Sequence, residues 1–358
     1  MYLKNVELKR SKIGEDLVNQ KQRFDNKLIY VNFILACSIV ILHTINNSPK
    51  FISQVTAINY FFDFVVELCN ITVPCFFAVS GFLFYYNFKW EKLLGKWKRR
   101  FFSLVIPFFI WNTIIYFYYY GISRVSMFEM EPIIFSFKNY LISIFNSINS
   151  PLWFIRTLVV YVVVSPACIL LWRKKWIAQI MIVALIASNY MGISTRFISN
   201  YYLPMYLLGA YMALYHDDII IGINDKNGKW KKSFGIVGMC IVSVLALAIT
   251  PLQLNDLWLY TLRLTGVLSF WFAFDVFKFD KPPKPYFSNS FSIYLIHCIL
   301  VKTIKLIFYY MLPHSTALLI LEYFLSPAVV ISLILLLSEG FKKNKYTCKI
   351  WSVMLGNR

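Results

Sequence analysis

The sequence predicts an all-α integral membrane protein, a bundle of about ten transmembrane helices with both termini cytoplasmic. Three observations predict it. Hydrophobic residues make up 59% of the 358 positions and charged residues only 15%, where a soluble globular chain carries about 25% charged residues. Apolar runs approaching the roughly 20 residues that a spanning helix needs recur along the chain. Short charged loops separate those runs. Helices are required because the hydrocarbon offers backbone amides no partner, so each segment must satisfy its own.

The elements follow in order. Residues 1–27 are polar and read as a cytoplasmic tail. The first apolar run is long enough to span, so it is not read as a cleavable signal peptide. The spans fall at 28–47, 57–86, 101–120, 151–171, 176–192, 200–216, 233–250, 257–277, 288–312 and 315–338. The second is long, which predicts projecting ends, a tilt, or a kink at Pro74. Segment 121–150 is the one sizeable external stretch, and its Phe, Ile and Tyr content predicts a cap or a path along the membrane surface. Residues 339–358 read as a second cytoplasmic tail. The chain is thus one membrane domain, 28–338, with no internal repeat and no soluble domain attached.

Orientation follows from the Lys and Arg residues. Of 36, 28 lie in the two tails and in the segments 87–100, 172–175, 217–232 and 278–287. The opposite loops hold Lys50, Arg124, Lys138 and Arg196. The rich side belongs in the cytoplasm. The net charge of +19 raises nucleic acid as a partner, but no basic domain stands apart from the spans, which argues against it. Seven cysteines form no CxxC or CxxxC pair, so they point away from zinc and read as small apolar residues.

Ionisable residues within spans are costly, at least about 2.5–3.5 kcal/mol at mid-bilayer. Here they are His43, Asp63, Glu67, Arg156, Arg263, Lys302, Lys305 and Glu322. By helix rise His43 lies about 22 Å from the inner face, and Asp63 and Glu67 about 9 and 15 Å below the outer one. Arg156, Arg263, Lys302 and Glu322 come out about 8–11 Å below the outer face. This common layer predicts a polar, hydrated cavity in the outer half. Asn59, Asp63, Glu67, Asn70 and Pro74 are spaced as one helical stripe. The bland alternative is a structural network in which Asp63 and Glu67 pair Arg156 or Arg263. His43 reads equally as a proton-transferring group or a packing histidine. Asn32, Ala36 and His43 share a helical face.

Five motifs together resemble the bacterial acyltransferase-3 family of membrane acyltransferases. They are the first span ending in VILH at His43, then VPCFFAVSGFL (73–83), KRRFFSLVIPFFIWN (98–112), PLWFIRTLVVY (151–161) and FSIYLIHCILV (291–301). Each is weak alone, but their order covers nearly the whole membrane region. The chain departs from the family at Asn32, where many members carry Arg; the hydrogen-bonding group is kept and the charge is lost.

The resemblance implies an O-acyltransferase that moves an acetyl or other short acyl group from acyl-CoA, such as acetyl-CoA, to a hydroxyl. The implied acceptor is a cell-surface or lipid-linked sugar, and the implied place a bacterial inner membrane. In that reading His43 is the base that activates the hydroxyl. Arg156 stabilises the oxyanion, and Asp63 or Glu67 orients the imidazole. Lys98, Arg99 and Arg100, where the third span enters the membrane, pair with the phosphates of CoA, and Asn32 joins the donor-binding set. Ordinary loop cations near anionic lipid are the competing reading of the three. His297, at a depth of about 13 Å from the inner face, reads as structural or channel-lining rather than catalytic. The alternative function is a transporter or flippase exporting a glycan or lipid, which would also bury charges around a cavity. A membrane scaffold or receptor leaves the layered charges unexplained.

Overall fold

The computed structural model describes residues 2–46, 56–126, 131–146, 150–193, 200–222, 228–311 and 316–356. Lys50, Arg196, Lys226 and Arg358, all used in assigning the charge asymmetry, lie outside the described residues. The elements are α1 (Tyr2–Asn46), α2 (Thr56–Cys69), α3 (Thr72–Tyr85), α4 (Leu93–Arg100), α5 (Ile106–Ile122) and α6 (Phe137–Asn146). They continue with α7 (Trp153–Leu170), α8 (Lys175–Tyr190), α9 (Leu203–Tyr215), α10 (Asp217–Ile221) and α11 (Lys229–Ile249). Then come α12 (Asp256–Ala273), α13 (Ser290–Met311), α14 (Thr316–Lys342) and α15 (Lys345–Met354). Among the described residues there is no strand. Eight helical stretches are long and apolar enough to cross a membrane, and α8 and α9 are shorter apolar helices at the two remaining expected spans. The chain is an all-α integral membrane bundle.

The first helix does not begin at residue 28. It runs unbroken from Tyr2 to Asn46, so the polar segment ahead of the span is itself helical. Its entry level is fixed by three contacts. Asn26 Nδ2 donates to the carbonyls of Phe279 (2.8 Å) and Lys281 (3.1 Å), and Lys27 Nζ pairs with Asp275 at 2.5 Å. Lys27 also lies 4.2 Å from the Trp271 ring centroid, so a nearly buried ammonium has both an anion and an aromatic face.

The long second span is divided. α2 ends at Cys69, residues 70 and 71 form a turn, and α3 starts at Thr72. Pro74 explains the place: it brings no N–H to the Asn70 carbonyl, four residues back, and its ring crowds that carbonyl. The third span carries a π-helical stretch, Phe101–Val105, between α4 and α5. Close packing holds the centre. At Gly81 and Gly209 a Cβ would fall 2.0 Å from the Tyr206 carbonyl oxygen and 1.9 Å from that of Ala78. α3 and α9 therefore touch backbone to backbone, as small residues allow in membrane bundles. Segment 121–150 contributes α6, which lies against α5: the hydroxyls of Tyr140 and Thr113 are 2.8 Å apart, and the Tyr140 and Tyr116 rings meet edge to face at 5.3 Å. α15 turns back under the bundle, with Trp351 stacked on Phe341 at 4.6 Å and Trp111 Nε1 donating to the Met354 carbonyl at 3.0 Å.

Candidate active site

The last four carbonyls of a helix lack partners within it. At the end of α1 two of them, those of His43 and Thr44, accept from Lys305 Nζ of α13 at 3.2 and 2.7 Å. A cation there also opposes the helix dipole. Glu322 of α14, 3% exposed, lies within electrostatic reach of Lys305, so the ammonium is held in the interior with a countercharge. This clamp docks α13 on α1. Two turns before Lys305 on α13, His297 meets His43 with ring centroids 5.2 Å apart and planes at 38°.

His297 is wholly buried. Its Nδ1 bonds the carbonyls of Tyr294 (2.7 Å) and Ile293 (3.1 Å). A carbonyl only accepts, so Nδ1 carries the hydrogen and Nε2 of the neutral ring carries the lone pair. Tyr294 in turn donates its hydroxyl to the Pro151 carbonyl and packs against Phe154, tying α13 to the start of α7. Helix-rise arithmetic separates His297 from the His43 layer, whereas the structure stacks the two. The reason is the starting level. Asn26 touches Lys281, and the chain from 26 to 43 and from 281 to 297 covers nearly the same length. Counting α13 from its own first apolar residue ignores the climb made by residues 285–289.

Glu67 belongs to a second cluster. Its Oε2 accepts from Asn70 Nδ2 at 3.0 Å, and Asn70 Oδ1 accepts from Arg263 Nη2 at 2.9 Å. Arg263 Nη1 donates to the Tyr201 hydroxyl at 2.7 Å, and its guanidinium stands 5.4 Å from that ring centroid. Asp63, one turn before Glu67, interacts with it electrostatically, as does Arg263. The polar stripe of the second span thus ends on Arg263 and crosses the α2–α3 turn. Tyr201, which sequence reasoning missed, is one tyrosine among 24 with no motif to mark it.

Arg156 is exposed and donates from Nη1 to the Phe145 carbonyl at 2.6 Å. Phe154, two residues earlier, faces Tyr294. Two residues is about 200° around a helix, so Arg156 points away from α13. The structure does not bring it to the histidine pair.

Lys98, Arg99 and Arg100 line a cavity of about 770 Å³ at the end of the bundle that carries the basic loops. Lys92 and Lys96 line it too, with Leu83, Phe84, Tyr86, Asn87, Phe102, Ser103 and Gly356, and there is no carboxylate among these residues. Lys96 caps the end of α3, donating to the carbonyls of Phe84 (2.5 Å) and Tyr86 (3.1 Å). Trp97 Nε1 donates to the Val162 carbonyl at 3.0 Å and fixes α4 on α7. The π-helical turn that follows is a distortion often found at functional sites. Arg forks and Lys point charges without a competing anion fit a polyphosphate. A second cavity of about 400 Å³ at the same end is less suited. Its two carboxylates sit among five cations and pair with two of them, Asp280 with Arg23 and Asp275 with Lys27, each at 2.5 Å, so an anion would compete with them. Asn32 is half-buried on α1, a turn above Leu28, which lines a narrow apolar crevice opening beside that second cavity.

The fold and these clusters define a helical membrane protein with a basic cavity at one end and, deeper in, a pair of imidazoles, His297 buried and His43 half-buried. The family model described as an acyltransferase domain, of the acyltransferase 3 family, matches residues 25–339. The chain belongs to that family and is a membrane acyltransferase. Neither a curated protein nor a solved structure matches it.

Proposed function

We propose that the protein is an O-acyltransferase of a bacterial inner membrane. It takes an acetyl or other short acyl group from acyl-CoA and gives it to a hydroxyl of a cell-surface or lipid-linked sugar. The observation that carries this reading is the cavity lined by Lys92, Lys96, Lys98, Arg99 and Arg100, with no carboxylate among its described lining residues. The phosphates of CoA are its natural match, and we place that end in the cytoplasm, where CoA is found and where the positive-inside rule puts basic loops. His43 lies deep in the bundle, about 24 Å along α1 from Lys27 by helix rise. The charged head of the donor stays at the basic end while its pantetheine arm carries the thioester inward.

His43 serves as the base. A sugar hydroxyl attacks a thioester slowly until its proton is taken, and a neutral imidazole takes it near physiological pH. The Glu67–Asn70–Arg263–Tyr201 cluster holds the helices around the reaction rather than entering it, and Asp63 adds charge to that cluster.

The test uses membrane vesicles, labelled acetyl-CoA and a surface-glycan extract. Inverted vesicles should consume the donor and place label in glycan in step with CoA release. Sealed right-side-out vesicles should leave external acetyl-CoA intact. Export of glycan without CoA release would favour the transporter reading and end this one.

A further inference from the structure

The buried imidazole of His297 has one nitrogen committed to the helix and one left over. Nδ1–H is held by the carbonyls of Tyr294 and Ile293. Nε2 has no hydrogen-bond partner although the residue is wholly buried. Nε2 is the ring nitrogen remote from Cβ, so it sits at the outer edge of the side chain. The neighbouring imidazole is that of His43, 5.2 Å between ring centroids. A buried acceptor without a donor is costly unless some state of the protein supplies one. His43 supplies one from the ring nitrogen that carries its hydrogen, in the neutral ring as in the imidazolium, when that nitrogen turns to His297.

We propose that His297 is the positioning residue for the general base: its Nε2 receives the one N–H of neutral His43, which leaves the other ring nitrogen bare toward the acceptor's hydroxyl, and keeps that bond when His43 has taken the proton. This rests on the proposed role of His43. In the step, the sugar oxygen bonds to the thioester carbonyl carbon as its proton passes to His43. The C–S bond then breaks and the same proton leaves on sulfur, giving the ester and the thiol of CoA. Both histidines end as they began. His297 never touches the substrate; it fixes which nitrogen of His43 faces the hydroxyl and holds the imidazolium between the two half-steps. The part resembles that of the carboxylate in a hydrolytic triad, with neutral nitrogen in place of a carboxylate that would be hard to keep ionised here.

The surroundings explain why a neutral acceptor suits the position. Lys305 lies about two turns further along α13 and acts electrostatically on His43, Lys302 lies about 140° round the helix from His297, and Cys298 follows His297 directly. From α14 Glu322 faces Lys305, from α5 Tyr118 and Tyr119 lie near Cys298, and Tyr294 lies 6.1 Å from His297 on its own helix. Glu322 interacts electrostatically with Lys305, and His297 Nε2 is an open acceptor on the ring next to His43.

Substitution separates this role from packing. H297F keeps an aromatic ring against His43 and Tyr294 but has no acceptor. H297Q keeps an acceptor and loses the ring. Each variant is purified, its thermal midpoint and its acetyl-CoA binding are measured, and transfer from labelled acetyl-CoA to the glycan extract is followed. The expected result is opposed orders: H297F more heat-stable than H297Q, yet slower in kcat, by tenfold or more relative to the wild type. Acetyl-CoA binding should stay within twofold for both. H297F should add little to the loss already caused by H43A, since residues that act as a unit are not additive. Turnover of H297F within threefold of wild type, or equal to H297Q or above it, overturns the proposal. If H297F fails to insert, H297M takes its place under the same criteria. An active H43A protein would instead remove the base assignment, a failure distinct from that of His297.

Discussion

The two ends of the molecule handle charge in opposite ways. At the basic end, Lys98 and Arg99 are exposed and Arg100 is half-buried around an open cavity that, among the described residues, is lined by no carboxylate. Deeper in, Lys305 is bonded by two carbonyls and faces Glu322 electrostatically, and Arg263 is bonded to Asn70 and Tyr201. An exposed cation needs no partner because water solvates it, whereas an interior one must be paired. The open end therefore has binding capacity to spare, and the closed region has been spent on architecture, apart from the histidine pair. In the proposed function, recognition falls to the first region and proton transfer to the second.

The largest expected effect breaks the contrast at its reactive side. His43→Ala should insert and bind acetyl-CoA normally while transfer to glycan falls by about 10²-fold or more, the scale of a lost general base. A folded His43→Ala protein with near-normal turnover would show the closed region to be architecture throughout.

A smaller effect is expected at the open end. Arg99→Ala and Arg100→Ala should each weaken acetyl-CoA binding by about tenfold, the equivalent of one charge-assisted contact. The double variant should lose less with the 3′-dephospho thioester, since a missing phosphate has no pairing to lose. Equal losses for both donors would assign the arginines to lipid or topology instead.

Arg263 probes the closed region where it is structural. Arg263→Met leaves Asn70, Glu67 and the Tyr201 hydroxyl short of a partner, which should lower stability by about 1–3 kcal/mol. Turnover per folded molecule should change by less than about threefold. A rate loss well beyond the stability loss would move Glu67 and Arg263 into the reaction and revive the triad-like role for the carboxylate.

The fold class was legible from the sequence because the hydrocarbon imposes a one-dimensional rule: apolar length and loop charge suffice. The break in the second span could be placed to within a few residues because Pro74 acts locally on Asn70. The π-helical stretch at 101–105 left no trace, since FFSLV reads as any apolar helix. The site was legible where it is local and hidden where it depends on level. Lys98, Arg99 and Arg100 are adjacent in sequence and needed no fold to gather them. His43 and His297 are brought together by contacts made far from either, at Asn26 and Lys281, and no count along one helix reveals that. The same holds for Arg156: its depth fits the layer, while its helical face, about 200° from Phe154 and its Tyr294 contact, is not visible in a depth count.

The smallest effect concerns a wall of the open cavity that lies beyond the family-matched residues. Gly356 follows α15 with φ at +73°, in the left-handed region, and lies against the backbone of Ser103, where a Cβ would come within 2.5 Å of Cα. Both residues line the basic cavity. A side chain at that position meets two obstacles at once: a left-handed conformation costing about 1–2 kcal/mol in an L-residue, and a rigid neighbour that is main chain. Gly356→Ala should therefore lift the last turn away from the π-helical stretch while Trp351 and Trp111 keep α15 in place. The bundle keeps its stability, and acetyl-CoA affinity drops by a few-fold as the cavity loosens. Unchanged affinity would mean that the C-terminal segment touches the cavity without shaping it, leaving Arg99, Arg100 and the α3 end to define the anion site alone.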